Sequence, residues 1–417
     1  MNLIPELLAA HEELTQWRRE LHAHPELAFD ESRTSDFVAK KLESWGIEVT
    51  RGIGKTGLVG TLKTGTSNKT IGLRADMDAL PMDELNTFAH KSKNPGCMHG
   101  CGHDGHTVML LAAARYLAQT KNFDGTVQFI FQPAEEANDT GSGAKAMIDD
   151  GLFERFPVDN VFAMHNGPGF ITGAIATRPG VTTASMDLFE VSIQGKGCHG
   201  AYPHEGNDPI MIATQMLSAW QTIISRNISA DEGAVISATS ITAGDSWNVI
   251  PDTAVIKGSI RTLSPSTQDL IEARFCTLTQ HIAEAFGAQV TIDYRRRYPS
   301  CINDPEQTLF ACEVAESIFG HDRVLGTMAL EGMGSEDFAY MLLERPGCYL
   351  SIGASNPPKG TDPIKGKDIR RKEDEQYFTV ENVSLLHQPD YDFNDDIIPM
   401  GATLFVRLAE HYLSTER

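Results

Sequence analysis

The stretch Cys97-Met98-His99-Gly100-Cys101-Gly102-His103-Asp104-Gly105-His106 holds two cysteines, three histidines, an aspartate and three glycines ahead of an apolar run at 108–114. Thiolate and imidazole are the donors that a borderline-soft cation such as Zn²⁺ prefers. The glycines let the backbone turn tightly enough for Cys101 and His103 to converge. The pattern therefore predicts a tight loop feeding a helix N-terminus and forming part of a metal site. A redox role for Cys97 and Cys101 fits less well, because three residues separate them where the familiar redox motif has two.

Other donors lie far off in the sequence. A strand predicted over 70–74 runs into Asp76 and Asp78, which read either as ligands, as acceptors for ligands, or as a solvated turn. A mostly apolar strand over 126–131 leads into Gln132-Pro133-Ala134-Glu135-Glu136, and a strand over 161–164 ends in His165. His387 lies shortly before a final helix at about 399–413. His22 and His24 follow an amphipathic helix over about 5–21 and read as structural residues.

Taken together, Cys101, His103, Glu136, His165 and His387 offer five N, O and S donors. That exceeds the three or four usual for one catalytic zinc and suits two neighbouring cations sharing a ligand or a water. Such a site polarises a carbonyl and lowers the pKa of bound water to about 7. Glu135, beside the ligand Glu136, would take the proton from that water and pass it to the leaving nitrogen. The chemistry implied is metal-assisted hydrolysis of an amide.

Positioning donors so widely spaced requires a large scaffold. At 417 residues the chain predicts two domains. Strands and helices alternate up to about residue 182, which predicts an α/β fold with a mostly parallel central sheet. The candidate donors then fall at the carboxyl ends of strands, where open α/β sheets place their sites. From 183 the order changes to strand 186–194, helix 208–226, strands 234–242 and 253–262, helix 265–286 and strand 289–296. This βαββαβ order predicts a ferredoxin-like module inserted over 183–297, leaving 1–182 and 298–417 as the metal-binding domain. Ser264 before Pro265 is a strong start signal for the second of those helices.

Within the insert, the glycine-rich loop around His199 reads as a structural turn or a catalytic loop, and Asn248 and Arg261 are further polar candidates. Residues 295–297, three arginines, read as a solvated patch or a ligand site. The segment 356–382, rich in Pro, Gly, Lys and Asp, reads as a long surface loop that could act as a lid.

A formal net charge of -21 argues against nucleic acid or an anionic membrane as partner, and leaves a small anionic substrate open. Seven scattered cysteines fit reduced thiols better than a disulfide framework. With no basic and apolar leader and no apolar run of spanning length, a cytoplasmic enzyme is the expectation.

The motifs Arg74-Ala75-Asp76-Met77-Asp78-Ala79-Leu80-Pro81, Met98 to His106, Gln132 to Glu136, Ala163-Met164-His165 and Ser335-Glu336-Asp337-Phe338 resemble the metallo-amidohydrolases of the aminoacylase/carboxypeptidase superfamily. The hippurate hydrolase and auxin–amino-acid conjugate hydrolase branch is the most similar, over nearly the whole chain. The resemblance implies two divalent cations per subunit, zinc or manganese, with cobalt or nickel as alternatives. It places Cys101, His103, Glu136, His165 and His387 on the ligands, with the cysteine bridging, and Glu135 on the general base. Asp78 falls on an acidic position that orients a ligand histidine. His199 falls on a histidine that in relatives reaches into the partner subunit's site to stabilise the oxyanion, which implies a homodimer formed through the insert. Asn248 and Arg261 fall where relatives grip a substrate carboxylate.

The activity implied is cleavage of N-acyl-amino acids, hippurate-like or N-acetylated, to a carboxylic acid and an amino acid. A deacetylase of N-acetyl-diamino acids or a dipeptidase would use the same site, and a charged clamp for a second carboxylate or amine would favour either. A non-catalytic metal-binding protein on this fold predicts loss of the base or a ligand, whereas all are present. Gly100 stands where an alanine is more usual, Gln388 stands where an asparagine usually follows the last ligand, and 356–382 is longer than in most relatives. These departures bear on substrate choice more than on chemistry.

Overall fold

Val127, Phe129, Ile130 and Phe131 leave the strand Gly125–Gln132 buried along its whole length. A strand hydrophobic on both faces needs cover on both, which is the condition of a central parallel strand. In the computed structural model, which describes residues 1–137, 141–325, 333–356, 367, 371, 374 and 383–414, it lies inside an eight-stranded sheet. Strand Thr70–Asp76 runs parallel to it on one side and parallel to Asn160–Ile171 on the other. Gly347–Ser355 continues the parallel set beyond Asn160–Ile171. Glu48–Ile53 and Gly57–Thr64 extend one edge antiparallel, and the short strands Ile175–Ala176 and Val324–Leu325 extend the other. The sheet is thus mostly parallel where it matters, with four adjacent parallel strands at its centre.

The helix His103–Thr120 is almost wholly buried, residues Val108 to Ala114 included, and packs against the helix Ile398–Tyr412. Its polar first turn is therefore fixed by an apolar body that has one place to go. The N-terminal pattern predicted a single helix, but the chain forms two, Pro5–Ala9 and His11–His22. Asn2 N donates to Ile318 O and Ile4 N to Thr403 Oγ1, so the first short helix is tied to other elements before the second begins.

A buried ion-pair cluster locks the central strands together. Arg74 donates from Nε to Gln132, from Nη1 to Asp76 and from Nη2 to Asp337, at 2.8, 2.7 and 3.1 Å. Asp337 also accepts from Gln132 Nε2, Ser142 Oγ and the backbone N of Ala144. Replacing Asp337 by Ala strips a carboxylate from four donors in a dry interior. We expect a loss of about 3–5 kcal/mol in urea unfolding, the range for breaking a buried pair by removing one partner. A loss under about 1 kcal/mol would mean that the cluster is wetter than its burial indicates.

The described residues of Met1–Thr182, Ile302–Leu330 and Asp337–Arg417 form one compact unit, and those of Thr183–Cys301 and Glu331–Glu336 a second. The second unit has an antiparallel sheet in the order Ala234–Thr242, Thr253–Thr262, Met186–Gln194, Gln289–Tyr298. Its helices, Pro209–Asn227 and Pro265–Ala285, are capped by Asp208 and Ser264. Trp220, Phe275 and Phe189 pack at their centre, with Trp220 stacked on Phe275 at 4.5 Å between ring centroids. The indole N–H that this burial would strand is donated to Thr279 Oγ1 at 2.9 Å. Most of the loop predicted over 356–382 lies outside the described residues. Among the described residues no helix is long and apolar enough to cross a membrane.

Candidate metal centre

Gly102 caps the His103–Thr120 helix with φ +92, a conformation that favours glycine, and a Cβ there would stand 2.6 Å from Asn166 Oδ1. Gly105 is required by close approach, since a Cβ would fall 2.2 Å from the Phe393 ring. These two glycines let Cys101 and His103 turn toward the carboxyl ends of the central strands. There the structure gathers Cys101, His103, Glu135, Glu136, His165 and His387.

The donors form two overlapping triads. Cys101, His103 and His165 present ligand atoms all within 4.8 Å of one another, and so do Cys101, Glu136 and His387. Cys101 Sγ lies 3.4 Å from His165 Nε2, and His387 Nε2 lies 2.9 Å from Glu136 Oε1. Glu135 falls in a third group with His103 and Glu136.

His103 and His165 are each turned by a bond to the ring's other nitrogen. His103 Nδ1 sits 3.0 Å from Asp78 Oδ1, and His165 Nδ1 sits 2.8 Å from the Asn166 carbonyl. This arrangement fixes ring orientation and leaves Nε2 for a ligand's role. Asp78 does a second job, because its Oδ2 accepts from Glu136 N at 2.8 Å. His387 has φ +64, rare for a residue with a Cβ, and its N donates to Gly100 O at 2.8 Å.

The chemistry of this set fits a metal ion. His103 Nε2 is buried with no hydrogen-bond partner, an expensive state for an imidazole unless something electrophilic meets it. Burial pushes the Cys101 thiol well above its ordinary range, and the carboxylates of Glu136, Glu135 and Asp76 add to this. A cation would be needed to hold it as thiolate. Burial depresses His165 strongly, so its ring stays neutral, as a ligand's must. Burial alone would depress His103 too, but Asp76 and Asp78 outweigh it and push it up to about 10. The site thus carries an excess of negative charge that a divalent cation would offset.

The strand carrying His165 differs from the prediction. His165 is inside the strand Asn160–Ile171 and not at its end, because the parallel ladder with Gly347–Ser355 continues through Ser351 opposite His165 and Ile352 opposite Asn166. His22 joins Asp104 and Glu84 at 2.8 and 3.3 Å, and His24 Nδ1 meets Glu20 O. Neither appears in any donor group among the described residues.

In the second unit, His199 and Asn248 are brought together. The strand Cys198–His199 pairs with Val249–Ile250, and Gly200 N donates to Asn248 O at 2.7 Å. His199 is exposed, and its Nδ1 accepts from Ala201 N at 3.1 Å, so the neutral ring carries its proton on Nε2. Arg261 is not with them. It lies near the far end of the Thr253–Thr262 strand, where Nη1 donates to Ser335 Oγ at 2.8 Å.

Sequence reading missed three residues. His106 Nδ1 lies 2.6 Å from Asp76 Oδ1, and its Nε2 lies 2.6 Å from Asn166 Oδ1. Asn166 Nδ2 donates to the Tyr391 hydroxyl at 2.6 Å. The chain Asp76–His106–Asn166 thus backs the residue whose carbonyl orients His165. The signal for His106 was its i,i+3 spacing from His103, which puts both rings on one helix face.

Comparison with known proteins matches the model of peptidase family M20/M25/M40 to residues 72–375. The chain is 40% identical to the hippurate hydrolase of Campylobacter jejuni over 414 residues, 99% of this chain and 100% of that one. It is 36% identical to the N-acetyl-L-cysteine deacetylase of Bacillus subtilis over 371 residues, 88% of this chain and 87% of that one. Among solved structures it resembles Bacillus subtilis YXEP, described as a dinuclear metal binding peptidase, with TM-score 0.78 and 31% identity over 98% of this chain and 99% of that one.

Proposed function

The chain belongs to peptidase family M20/M25/M40, and from that premise we propose that it is a metal-dependent amidohydrolase splitting N-acyl-amino acids into a carboxylic acid and a free amino acid. The observation that carries this reading is the pair of donor triads sharing Cys101, with Glu135 alongside. The names of the hippurate hydrolase and the N-acetyl-L-cysteine deacetylase support an N-acyl-amino acid as the substrate class.

Cys101, His103 and His165 would hold one divalent cation, and Cys101, Glu136 and His387 the other. When bound, such cations supply Lewis-acid polarisation of an amide carbonyl and make water more acidic. A thiol among imidazoles and a carboxylate favours zinc, with manganese the next choice. Glu135 takes the proton of the attacking water and delivers it to the leaving nitrogen. Asp78 keeps His103 and Glu136 in register. All seven cysteines are thiols, which supports a reducing, cytoplasmic setting.

The second unit serves as the dimerisation domain. Its edge strand Ala234–Thr242 exposes Val235 and Ile241, and Trp247, Val249 and Tyr202 are exposed close by in sequence to the paired His199 and Asn248 segments. His199 donates from Nε2 to the oxyanion in the partner subunit's site with Asn248 beside it, and Asn248 and Arg261, which are apart within one subunit, receive the substrate carboxylate from separate positions.

Hydrolysis of N-benzoyl- and N-acetyl-amino acids, N-acetyl-diamino acids and dipeptides, before and after chelation and with zinc or manganese restored, tests the reading. Metal-restored release of free amino acid from N-acyl-amino acids is expected; turnover indifferent to chelation would sink it. His199→Ala should lower kcat by about 10²–10³-fold, the usual cost of one oxyanion donor. Mixing it with Glu135→Gln should then restore roughly a quarter of wild-type activity through exchanged dimers, each with one complete site. No recovery on mixing, with exchange verified, would place His199 in its own subunit's site or outside catalysis.

A further inference from the structure

The turn that carries Glu135 and Glu136 is bent at Ala134, whose φ is +53. A residue with a Cβ adopts that conformation only when its surroundings impose it. Phe29 shares the feature, with φ +66. One side chain reaches both: Glu31 Oε1 accepts from Ala134 N at 2.8 Å and from Phe29 N at 2.9 Å. Its other oxygen accepts from the Thr56 hydroxyl. Glu31 is fully buried, in a segment 103 residues before Ala134.

We propose that Glu31 is a positioning residue for hydrolysis: its carboxylate holds Ala134 in the left-handed conformation and so aims Glu135 and Glu136. This rests on the reading of Glu135 as the base. The turn is pinned at three points. Glu31 holds Ala134 N, Gly143 N donates to Ala134 O at 2.9 Å, and Asp78 holds Glu136 N at 2.8 Å. The Asp78 and Glu31 pins bracket Glu135 in sequence, one residue to each side. Without the Glu31 pin, Ala134 N loses its acceptor in a buried turn and the residue relaxes toward negative φ. That rotation swings the peptide leading into Glu135. A displacement near 1 Å at a reacting group costs on the order of 10²-fold in rate.

The test uses the metal-loaded enzyme with Glu31→Met, Glu31→Gln and Glu31→Asp. Glu31→Met keeps the bulk and removes the acceptor. It should lower kcat by about 10²-fold with KM within about threefold, and should retain less metal after dialysis. Glu31→Gln keeps an oxygen for Ala134 and Phe29 while its amide donates to Thr56, and should stay within about threefold of wild type. Glu31→Asp keeps the charge but falls short of Ala134 N, and should lose about tenfold in kcat, which covers the case in which Glu31→Met fails to fold. Wild-type kcat and metal retention in Glu31→Met or Glu31→Asp overturn the proposal, as does Glu31→Gln impaired as badly as Glu31→Asp, which would make charge and not the acceptor decisive. Glu135→Gln run in parallel separates the two readings. Full activity there removes the base assignment itself, whereas an inactive Glu135→Gln beside fully active Glu31 variants removes only the positioning role.

Discussion

Glu135→Gln should lose about 10²–10⁴-fold in kcat, the usual worth of a positioned acid–base group, and keep its metal. The exchange preserves shape and hydrogen-bonding reach but removes the basic oxygen pair. Glu135 is buried, and it shares a donor group with His103 and Glu136. It is therefore close enough to serve a reacting atom beside the donors. Neither of the two triads sharing Cys101 includes it, so both remain complete in the variant. The measurement is kcat together with metal content by elemental analysis. Wild-type turnover with full metal would remove Glu135 from proton transfer. Lost turnover together with lost metal would make it a ligand.

Cys101→Ala should have a larger structural effect than any other ligand change, because Cys101 alone stands in both Sγ-containing triads. His165→Ala removes a donor from one triad and His387→Ala from the other, so each should mainly weaken one ion. Cys101→Ala should empty most of both positions and abolish turnover. The same loss should appear in stability. An ion present at about 1,000 times its Kd stabilises the folded state by about 4 kcal/mol, and that contribution disappears with the site. Thermal unfolding of wild type with and without chelator, beside Cys101→Ala, measures it. Wild type should lose stability on chelation, and Cys101→Ala should be indifferent to chelator. A variant that keeps two ions and responds to chelator like wild type would show that the thiol is a bystander.

The chemistry was legible in the sequence because donor types are local facts. Cys101 and His103 lie in one turn, and Glu135 and Glu136 follow an apolar strand. Their convergence on one site was readable only as a consequence of strands ending together. What the sequence did not show depends on register and on approach between distant segments. His165 lies mid-strand because Gly347–Ser355 prolongs the ladder, and no property of 160–171 alone reports that partner. Phe393 explains Gly105, yet it is 288 positions away, from 105 to 393. Nothing local to Glu31 singles it out, and only tertiary contact reveals the backbone groups that it holds. Asp76 and Asp78 looked like a pair. In the fold their hydrogen bonds diverge, Asp76 to His106 and Arg74, Asp78 to His103 and Glu136, while both carboxylates act on His103 through charge.

The placement of Gly347–Ser355 also bears on how the protein is made. That strand completes the central parallel set, beside Asn160–Ile171, but leaves the ribosome after the whole of Thr183–Cys301. During synthesis the earlier strands must wait with an open hydrogen-bonding edge. The hydrophobic core of the second unit comes from one continuous stretch between Phe189 and Tyr294 and is synthesised before that strand, although the unit also takes in the later Glu331–Glu336. Long-range parallel pairing is slow, and open strand edges invite aggregation. The nascent chain therefore carries a complete second core and an unfinished sheet at once, and a chaperone that shields that edge would raise the yield of active enzyme.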